Sequence, residues 1–168
     1  MGCRTQRSGA LTEPAIRFER DDVTRQAVIA LAELHLREAY DNSPPESVFA
    51  LDLSGLRRPE VTVWTVWEGD ALLGMGALKQ LDAAHGEVKA MRTAPAMPRR
   101  RCAGAVLAHL VEQGCARGYR RLSLETGATE PYAPARTLYE RAGFLPCPPF
   151  GDYVDVGFSR YYTRALSG

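Results

Sequence analysis

The stretch of residues 87–119 constrains the fold of this chain most, because an extended segment there runs through a basic loop directly into a helix. Apolar residues recur at helical spacing from Ala103 to Gly114, which predicts one buried helix face, and Gly118 predicts the end of the helix. The first turn of a helix has backbone N–H groups without intrahelical partners, and the helix dipole adds partial positive charge there. With three arginines at residues 99–101, the arrangement predicts a site for a phosphorylated cofactor.

Two common phosphate-binding loops are absent from the sequence, since neither G-x-x-x-x-G-K-[ST] nor G-x-G-x-x-G after a strand occurs. The stretch instead resembles motif A of the GNAT superfamily of N-acetyltransferases. In that motif a strand, the loop Q/R-x-x-G-x-G/A and a helix hold the pyrophosphate of acetyl-coenzyme A (acetyl-CoA). The ungapped register places the loop at residues 98–103, with Arg101 where the family has a glycine. A shift to residues 99–104 puts Cys102 there but moves the helix out of phase, so we prefer the first register.

Further motifs carry the same resemblance to one bacterial subgroup of the family across residues 14–166. They are SPPES, ALD, GALK-x-LD, GE-[IV]-K-x-MRT, GYRRLSLETG, APAR-x-LYERAGF and PFGDY, at residues 43–47, 50–52, 76–82, 86–93, 118–127, 133–144 and 149–153. The resemblance implies an α/β (α+β) fold with a central mixed, mostly antiparallel sheet of about six or seven strands. A splayed central parallel pair and about four flanking helices belong to that fold. The segment at residues 155–163 departs from the subgroup pattern D-P-x-S-V-F-M-T.

Composition limits the classes of partner. A chain of 168 residues with a formal net charge of +1 predicts a single domain at residues 13–168 after a flexible tail at residues 1–12, with no nucleic-acid partner. The four cysteines form no C-x-x-C pair, which predicts no metal. No long apolar run or signal peptide occurs, which predicts a cytoplasmic protein without membrane contact. The resemblance leaves a homodimer open.

The remaining pattern predicts the order of elements. A strand at residues 14–20 is followed by a helix capped by Asp22 and ending near Tyr40, with Ala27, Ala30, Leu31 and Leu34 inward. A second, short helix is expected from Glu46 to Leu56, and an antiparallel meander at residues 61–67, 71–81 and 87–93. A strand at residues 120–126 should run parallel to residues 87–93. A helix from Pro134 to Gly143 and a closing hairpin at residues 144–149 and 159–166 complete the chain. His85 and His109 are expected to be exposed.

The resemblance also implies which residues hold the cofactor. Backbone groups of Met91, Arg92 and Thr93 would bind the pantetheine arm of acetyl-CoA, and one N–H could polarise the thioester carbonyl. The pyrophosphate would lie on the basic loop and first helical turn, formed by Arg99, Arg100, Arg101, Cys102, Ala103 and Gly104.

Tyr139 lies at the tyrosine of the family's L-Y-E-x-x-G-F motif, where the hydroxyl is near the coenzyme sulfur and can protonate the departing thiolate. Glu87 is the preferred general base, Glu125 is the second candidate, and bulk solvent is a third route to a neutral amine. His35, Glu46 and Ser47 become candidate acceptor contacts by resemblance, and Glu125 is also placed among the acceptor contacts.

The predicted function is transfer of acetyl from acetyl-CoA to a primary amine of a small molecule or peptide, directly and in a ternary complex. The alternative is a non-catalytic module that binds CoA or acyl-CoA, because the Q/R-x-x-G-x-G/A match is poor.

Overall fold

The computed structural model describes residues 15–95 and 99–167, with residues 99–101 described by their backbone alone. Its elements are β1 (Ile16–Asp21), α1 (Gln26–Asn42), a 3-10 turn (Pro45–Ser47), α2 (Leu53–Leu56), β2 (Val61–Glu68), β3 (Ala71–Asp82), β4 (His85–Thr93), α3 (Arg99–Ala116), β5 (Arg121–Gly127), a second 3-10 turn (Glu130–Tyr132), α4 (Ala133–Arg141), β6 (Leu145–Pro146) and β7 (Ser159–Ala165). The predicted tail at residues 1–12 lies outside the described residues.

One seven-stranded sheet has the order β1-β2-β3-β4-β5-β7-β6. The described strand pairs are antiparallel except β4 with β5, which are parallel and joined by α3. The predicted fold class, with its mixed sheet and central parallel pair, is therefore confirmed.

Two apolar cores lie on the two faces of this sheet. One contains Val106, Leu107 and Leu110 of α3, which confirms the predicted buried stripe, together with Tyr139 and Phe144. The other core lies under α1 and α2 and contains Val28, Leu31, Val63, Met75 and Ala77. Neighbouring strand residues point to opposite faces, so β3 and β4 supply side chains to both cores.

Three local expectations on the first part of the chain were wrong. The helix α1 begins at Gln26 after Arg25, because the Asp22 carboxylate accepts a hydrogen bond from the Thr24 hydroxyl instead of capping the helix. Ala27 and Ala30 are exposed, while Val28, Leu31 and Ala32 are buried. The single short helix expected at residues 46–56 is instead a 3-10 turn and the four-residue α2.

Both histidines expected to be exposed are in packed environments. His85 begins β4, is 5% exposed, and its Nε2 lies 2.7 Å from the Ser123 hydroxyl. His109 stacks on Phe18 with ring centroids 4.2 Å apart and meets Trp64 edge-on. Imidazole is flat enough to pack as an aromatic ring, and helical spacing alone does not show that an off-stripe residue faces a neighbouring strand.

The segment between β6 and β7 returns across the sheet face that carries α1. Phe150 and Tyr153 of this segment pack on each other with ring centroids 5.1 Å apart, and Tyr153 also contacts Phe49 of the α1–α2 connection at 5.0 Å. Hydrogen bonds of the Tyr153 hydroxyl with Glu87 and Lys89 place this side chain over the centre of β4. No helix in the described part of the chain is long and apolar enough to cross a membrane.

Helix α3 packs closely on β3 at Gly76. A Cβ at this position would lie 2.7 Å from Val106 Cγ1 and 3.0 Å from Leu110 Cδ1. We expect Gly76→Ala to lower the free energy of unfolding by about 1–3 kcal/mol because the helix must move outward. Gly104→Ala is the matched control, since nothing lies within 4 Å of the added Cβ, and it should leave stability unchanged or slightly raised. Urea denaturation of both variants measures the difference, and equal effects would contradict the packing.

Candidate active site

The candidate site begins where β4 and β5 stop pairing. Their parallel register covers only His85 with Arg121, Gly86 with Leu122, and Glu87 with Ser123. Beyond Glu87, β4 continues on β3 and β5 continues on β7, so the two central strands diverge. The expected splay of the central pair is present, and it opens a gap in the middle of the sheet.

A bulge in β4 lies beside this gap. The β3–β4 register passes from Ala77 opposite Lys89 to Met75 opposite Arg92, which leaves an extra residue on β4. Ala90 in the bulge has φ of 52°, a left-handed conformation that a residue with a Cβ adopts at some cost. The bulge interrupts the ladder at Ala90 and Met91 and turns their backbone groups away from β3.

A cleft of about 260 Å³ occupies the gap. It is lined by α1, the 3-10 turn after α1, β4, β5 and α4. The lining includes the expected site residues His35, Ser47, Met91, Arg92, Glu125 and Tyr139. Thr93 and Glu46 are not among the lining residues, and Glu46 is exposed to solvent.

Glu87 lies behind this lining in a buried hydrogen-bonded group. Its carboxylate is 2% exposed and accepts hydrogen bonds from the Lys89 ammonium at 3.2 Å and from the Tyr153 hydroxyl. The Lys89 ammonium also donates to the Tyr153 oxygen at 2.9 Å. Burial and then the Glu87 charge raise the pKa of Tyr153 well above its usual range, so its hydroxyl stays protonated as a donor. The sequence placed Tyr153 in the PFGDY motif but gave no signal that its side chain reaches β4.

Glu125 has a different environment from Glu87. It lines the cleft, accepts a 2.8 Å hydrogen bond from the Ser159 hydroxyl, and has no ion-pair partner within the described residues. Burial raises the pKa of its carboxyl, and the Lys89 charge acts in the opposite direction. A carboxyl with a raised pKa in a cleft is suited to exchange a proton near neutral pH.

Tyr139 lies at the other side of the same gap. It is 7% exposed, lines the cleft and packs edge-on against Phe144. Burial, with a smaller contribution from the Glu125 charge, raises the pKa of its hydroxyl. The phenol is therefore protonated at neutral pH, as a proton donor must be.

His35 and Arg92 form the wall under α1. The Arg92 guanidinium makes an ion pair with Glu38, while its buried Nε has no hydrogen-bond partner within the described residues. Burial lowers the pKa of His35 to about 4, and the Arg92 charge acts in the same direction. His35 is therefore a neutral imidazole at physiological pH.

The expected cofactor loop is only partly described. The side chains of Arg99, Arg100 and Arg101 lie outside the described residues, whereas the backbone there is the first turn of α3. Cys102 points into the core, where its thiol donates to the Leu73 carbonyl at 3.3 Å, and burial raises its pKa. No group of three residues suited to hold a metal ion occurs in the parts of the chain that the structure describes.

Comparison with known proteins gives the family. The model of the acetyltransferase (GNAT) family matches residues 28–144. Two bacterial relatives are the uncharacterized N-acetyltransferases YsnE of Bacillus subtilis (strain 168), 49% identical over 87% of this chain and 97% of that protein, and YedL of Escherichia coli (strain K12), 47% identical over 87% and 92%.

A solved structure agrees with this likeness at the level of the fold. A Bacillus subtilis acetyltransferase in complex with CoA superposes with a TM-score of 0.68 at 16% identity, covering 91% of this chain and 100% of that chain. The chain belongs to the GNAT family of acetyltransferases. The predicted activity, acetyl-CoA-dependent N-acetyl transfer, is confirmed at this level.

The burial of His35 makes stability depend on pH. Its pKa falls from 6.5 in the unfolded chain to about 4 in the fold, so below pH 6.5 the unfolded state takes up the proton first. We expect this contribution, about 3 kcal/mol at most, to be complete above pH 6.5 and lost as the pH approaches 4. His35→Gln cannot take up that proton, so the stability advantage of the wild type over the variant should shrink as the pH falls. Urea denaturation at about pH 7 and about pH 4.5 measures it, and a constant advantage would contradict the buried neutral imidazole.

Proposed function

We propose that this protein transfers the acetyl group of acetyl-CoA directly to a primary amine of a small molecule bound in the cleft between β4 and β5. The observation that carries the proposal is the gap between β4 and β5 beyond Glu87 and Ser123. The bulge of β4 at Ala90 borders this gap, and α3 follows the carboxyl end of β4. A bulged strand with unpaired backbone groups can hydrogen-bond an extended ligand as a neighbouring strand would. The pantetheine arm of acetyl-CoA carries amide groups that suit this position.

The cofactor would be held along the carboxyl-terminal half of β4 and at α3. Backbone groups of Met91, Arg92 and Thr93 would bind the pantetheine arm, and an N–H near the bulge would polarise the thioester carbonyl. The first turn of α3, at residues 99–104, would hold the pyrophosphate with its unpaired N–H groups and basic side chains. Cys102 contributes only through its backbone, because its thiol is directed into the core.

In the transfer step the acceptor nitrogen forms a bond to the acetyl carbonyl carbon, and the carbon–sulfur bond breaks. The amine loses a proton, and the departing thiolate gains one. Glu125 is the better-placed base of the two carboxylates, because it lines the cleft without an ion-pair partner, whereas Glu87 is held by Lys89 and Tyr153. Tyr139 is the proton donor to the thiolate.

A small acceptor fits the enclosure of the cleft. The Ser43 and Tyr132 hydroxyls lie 2.6 Å apart and join the end of α1 to the turn before α4. On another side, Phe49 packs on Tyr153 and joins the α1–α2 connection to the β6–β7 segment. Both contacts narrow the borders of the cleft, which favours a small acceptor over a peptide chain.

Release of free thiol from acetyl-CoA in the presence of a panel of primary amines tests the proposal. An acetyltransferase gives acceptor-dependent thiol release, whereas a non-catalytic module binds acetyl-CoA and gives none with any amine. We also propose a cytoplasmic location. The oligomeric state is open, and size-exclusion chromatography with light scattering decides between a monomer and a homodimer.

Removal of the Tyr139 hydroxyl tests the proton donor. We expect Tyr139→Phe to lower kcat by about ten- to a hundredfold with the affinity for acetyl-CoA little changed, because the lost hydrogen bond forms mainly in the transition state. The loss should be smaller when the thiol of the acyl donor is more acidic. A packing role alone would lower the melting temperature and leave the rate per folded molecule intact.

A matched pair of substitutions separates the two candidate bases. We expect Glu125→Gln to lower kcat/KM by about a hundredfold or more and to remove the fall in rate as the pH drops through the carboxyl pKa. Glu87→Gln should mainly lower the melting temperature, because it leaves the buried Lys89 ammonium without its counter-charge. Steady-state rates against pH, with melting curves for the same preparations, measure both, and the reverse pattern would assign the base to Glu87.

A further inference from the structure

The Lys89 ammonium is a buried cation with one N–H group that donates no hydrogen bond within the described residues. Its side chain is only 10% exposed and lines the cleft. An ammonium has three donors. Two of them are taken by Glu87 and Tyr153, and Lys89 makes no third hydrogen bond within the described residues. An unfilled donor on a buried charge costs free energy unless a bound group accepts from it.

Glu125 occupies the equivalent position across the gap. The last paired residues of the two parallel strands are Glu87 and Ser123. Side chains alternate between faces along a strand, so the next positions on the same face are Lys89 and Glu125. Because the strands diverge there, no ion pair joins this lysine and glutamate in the described structure. A cation and a carboxyl therefore face each other across an open cleft.

Two more lining residues with N–H groups lie beside Lys89. The buried Nε of Arg92 has no hydrogen-bond partner within the described residues, and the neutral His35 lines the wall beside it. The Arg92–Glu38 and Lys89–Glu87 ion pairs are each neutral, because each cation has its own carboxylate. The cleft thus has the Lys89 ammonium, with a free N–H, at one side and the Glu125 carboxyl at the other.

We propose that the acceptor is a zwitterionic amino acid whose carboxylate is bound by Lys89 and whose amine faces Glu125. This inference rests on the proposed acetyl transfer and specifies its substrate class. The substrate carboxylate can accept from the free Lys89 N–H, while the ammonium end complements Glu125. Before attack the ammonium must lose one proton, which Glu125 can take and pass to solvent, and the second proton lost by the nitrogen balances the one gained by the thiolate. With the carboxylate fixed on β4, the nitrogen lies over the gap into which the thioester would project.

Tyr153 is the positioning residue in this arrangement. Its hydroxyl donates to Glu87 and accepts from Lys89, and its ring is held by Phe49 at 5.0 Å. The ammonium is therefore fixed by a residue from the β6–β7 segment, which closes over it. A fixed cation discriminates between a carboxylate and a neutral amide better than a flexible one.

The experiment uses the full chain with acetyl-CoA and measures thiol release with free amino acids, their carboxamides and the corresponding simple amines. Each matched set differs only in the carboxylate. We expect kcat/KM for the preferred amino acid to exceed that for its carboxamide by at least about tenfold, with most of the difference in KM.

Variants of the lysine test its part in this preference. Lys89→Met should reduce the acid-to-amide ratio to about one, and Lys89→Arg should retain most of it because the charge remains. The paired variant Glu87→Gln with Lys89→Met removes both charges together, which avoids a buried carboxylate without a partner. Tyr153→Phe should cause a partial fall in the acid-to-amide ratio of kcat/KM. The fall should come from a higher KM for the amino acid, while KM for the carboxamide stays the same. Lys79→Met, which removes the chain's other lysine from outside the cleft, is the control and should leave the ratio unchanged.

Carboxamides or simple amines acetylated as well as the amino acids would overturn the amino-acid assignment and leave acetyl transfer standing. If the paired variant keeps the full acid-to-amide ratio, the amino-acid assignment is likewise overturned and acetyl transfer still stands. Absence of turnover with every free amino acid also overturns this inference, and thiol release with amines that lack a carboxylate then decides separately whether the protein is a transferase.

Discussion

The early end of the β4–β5 pairing is the constraint on which the rest of the structure depends. Three residue pairs join these strands, and then each strand follows a different neighbour. Backbone groups inside a protein need hydrogen-bond partners, so a gap in the centre of a sheet is stable only if water or a ligand completes it. The bulge at Ala90 and the start of α3 lie at the same end of β4. Under our proposal, the divergence, the bulge and the helix together form a site for an extended ligand that ends in phosphates.

Charge in the gap is arranged in pairs. Glu87 with Lys89, and Glu38 with Arg92, each bring a cation and a carboxylate together, which reduces the cost of placing them near the core. Glu125 stands apart, with one hydrogen bond from Ser159, and its pKa is raised by burial. Under our proposal, the paired carboxylate of Glu87 has a structural role and the unpaired carboxyl of Glu125 serves the chemistry. The proposal therefore prefers Glu125 as the base, whereas Glu87 was preferred from the sequence.

The fold could be predicted from the sequence because local patterns and motif order both specify it. The α3 stripe, the meander and the parallel return to β5 follow from periodicity and the handedness of crossovers. The site was less predictable, because its contacts join residues far apart in the chain. Tyr153 reaches Glu87 across 66 positions, and no spacing rule connects them. Helix α1 starts later than its capping pattern indicates, because the Asp22 side chain bonds Thr24. His109 was misplaced for a similar reason, since its partner Phe18 lies on a strand distant in sequence.

Hydrogen–deuterium exchange with and without acetyl-CoA tests the central claim most directly, because it reads backbone groups in the gap itself. The account predicts that acetyl-CoA slows exchange in the carboxyl-terminal half of β4, at residues 89–93, and in the first turn of α3. Exchange in β1 and β2, at the far edge of the sheet, should stay unchanged. Protection confined to other elements, or no protection of residues 89–93 at saturating acetyl-CoA, would contradict the claim that the strand gap holds the cofactor.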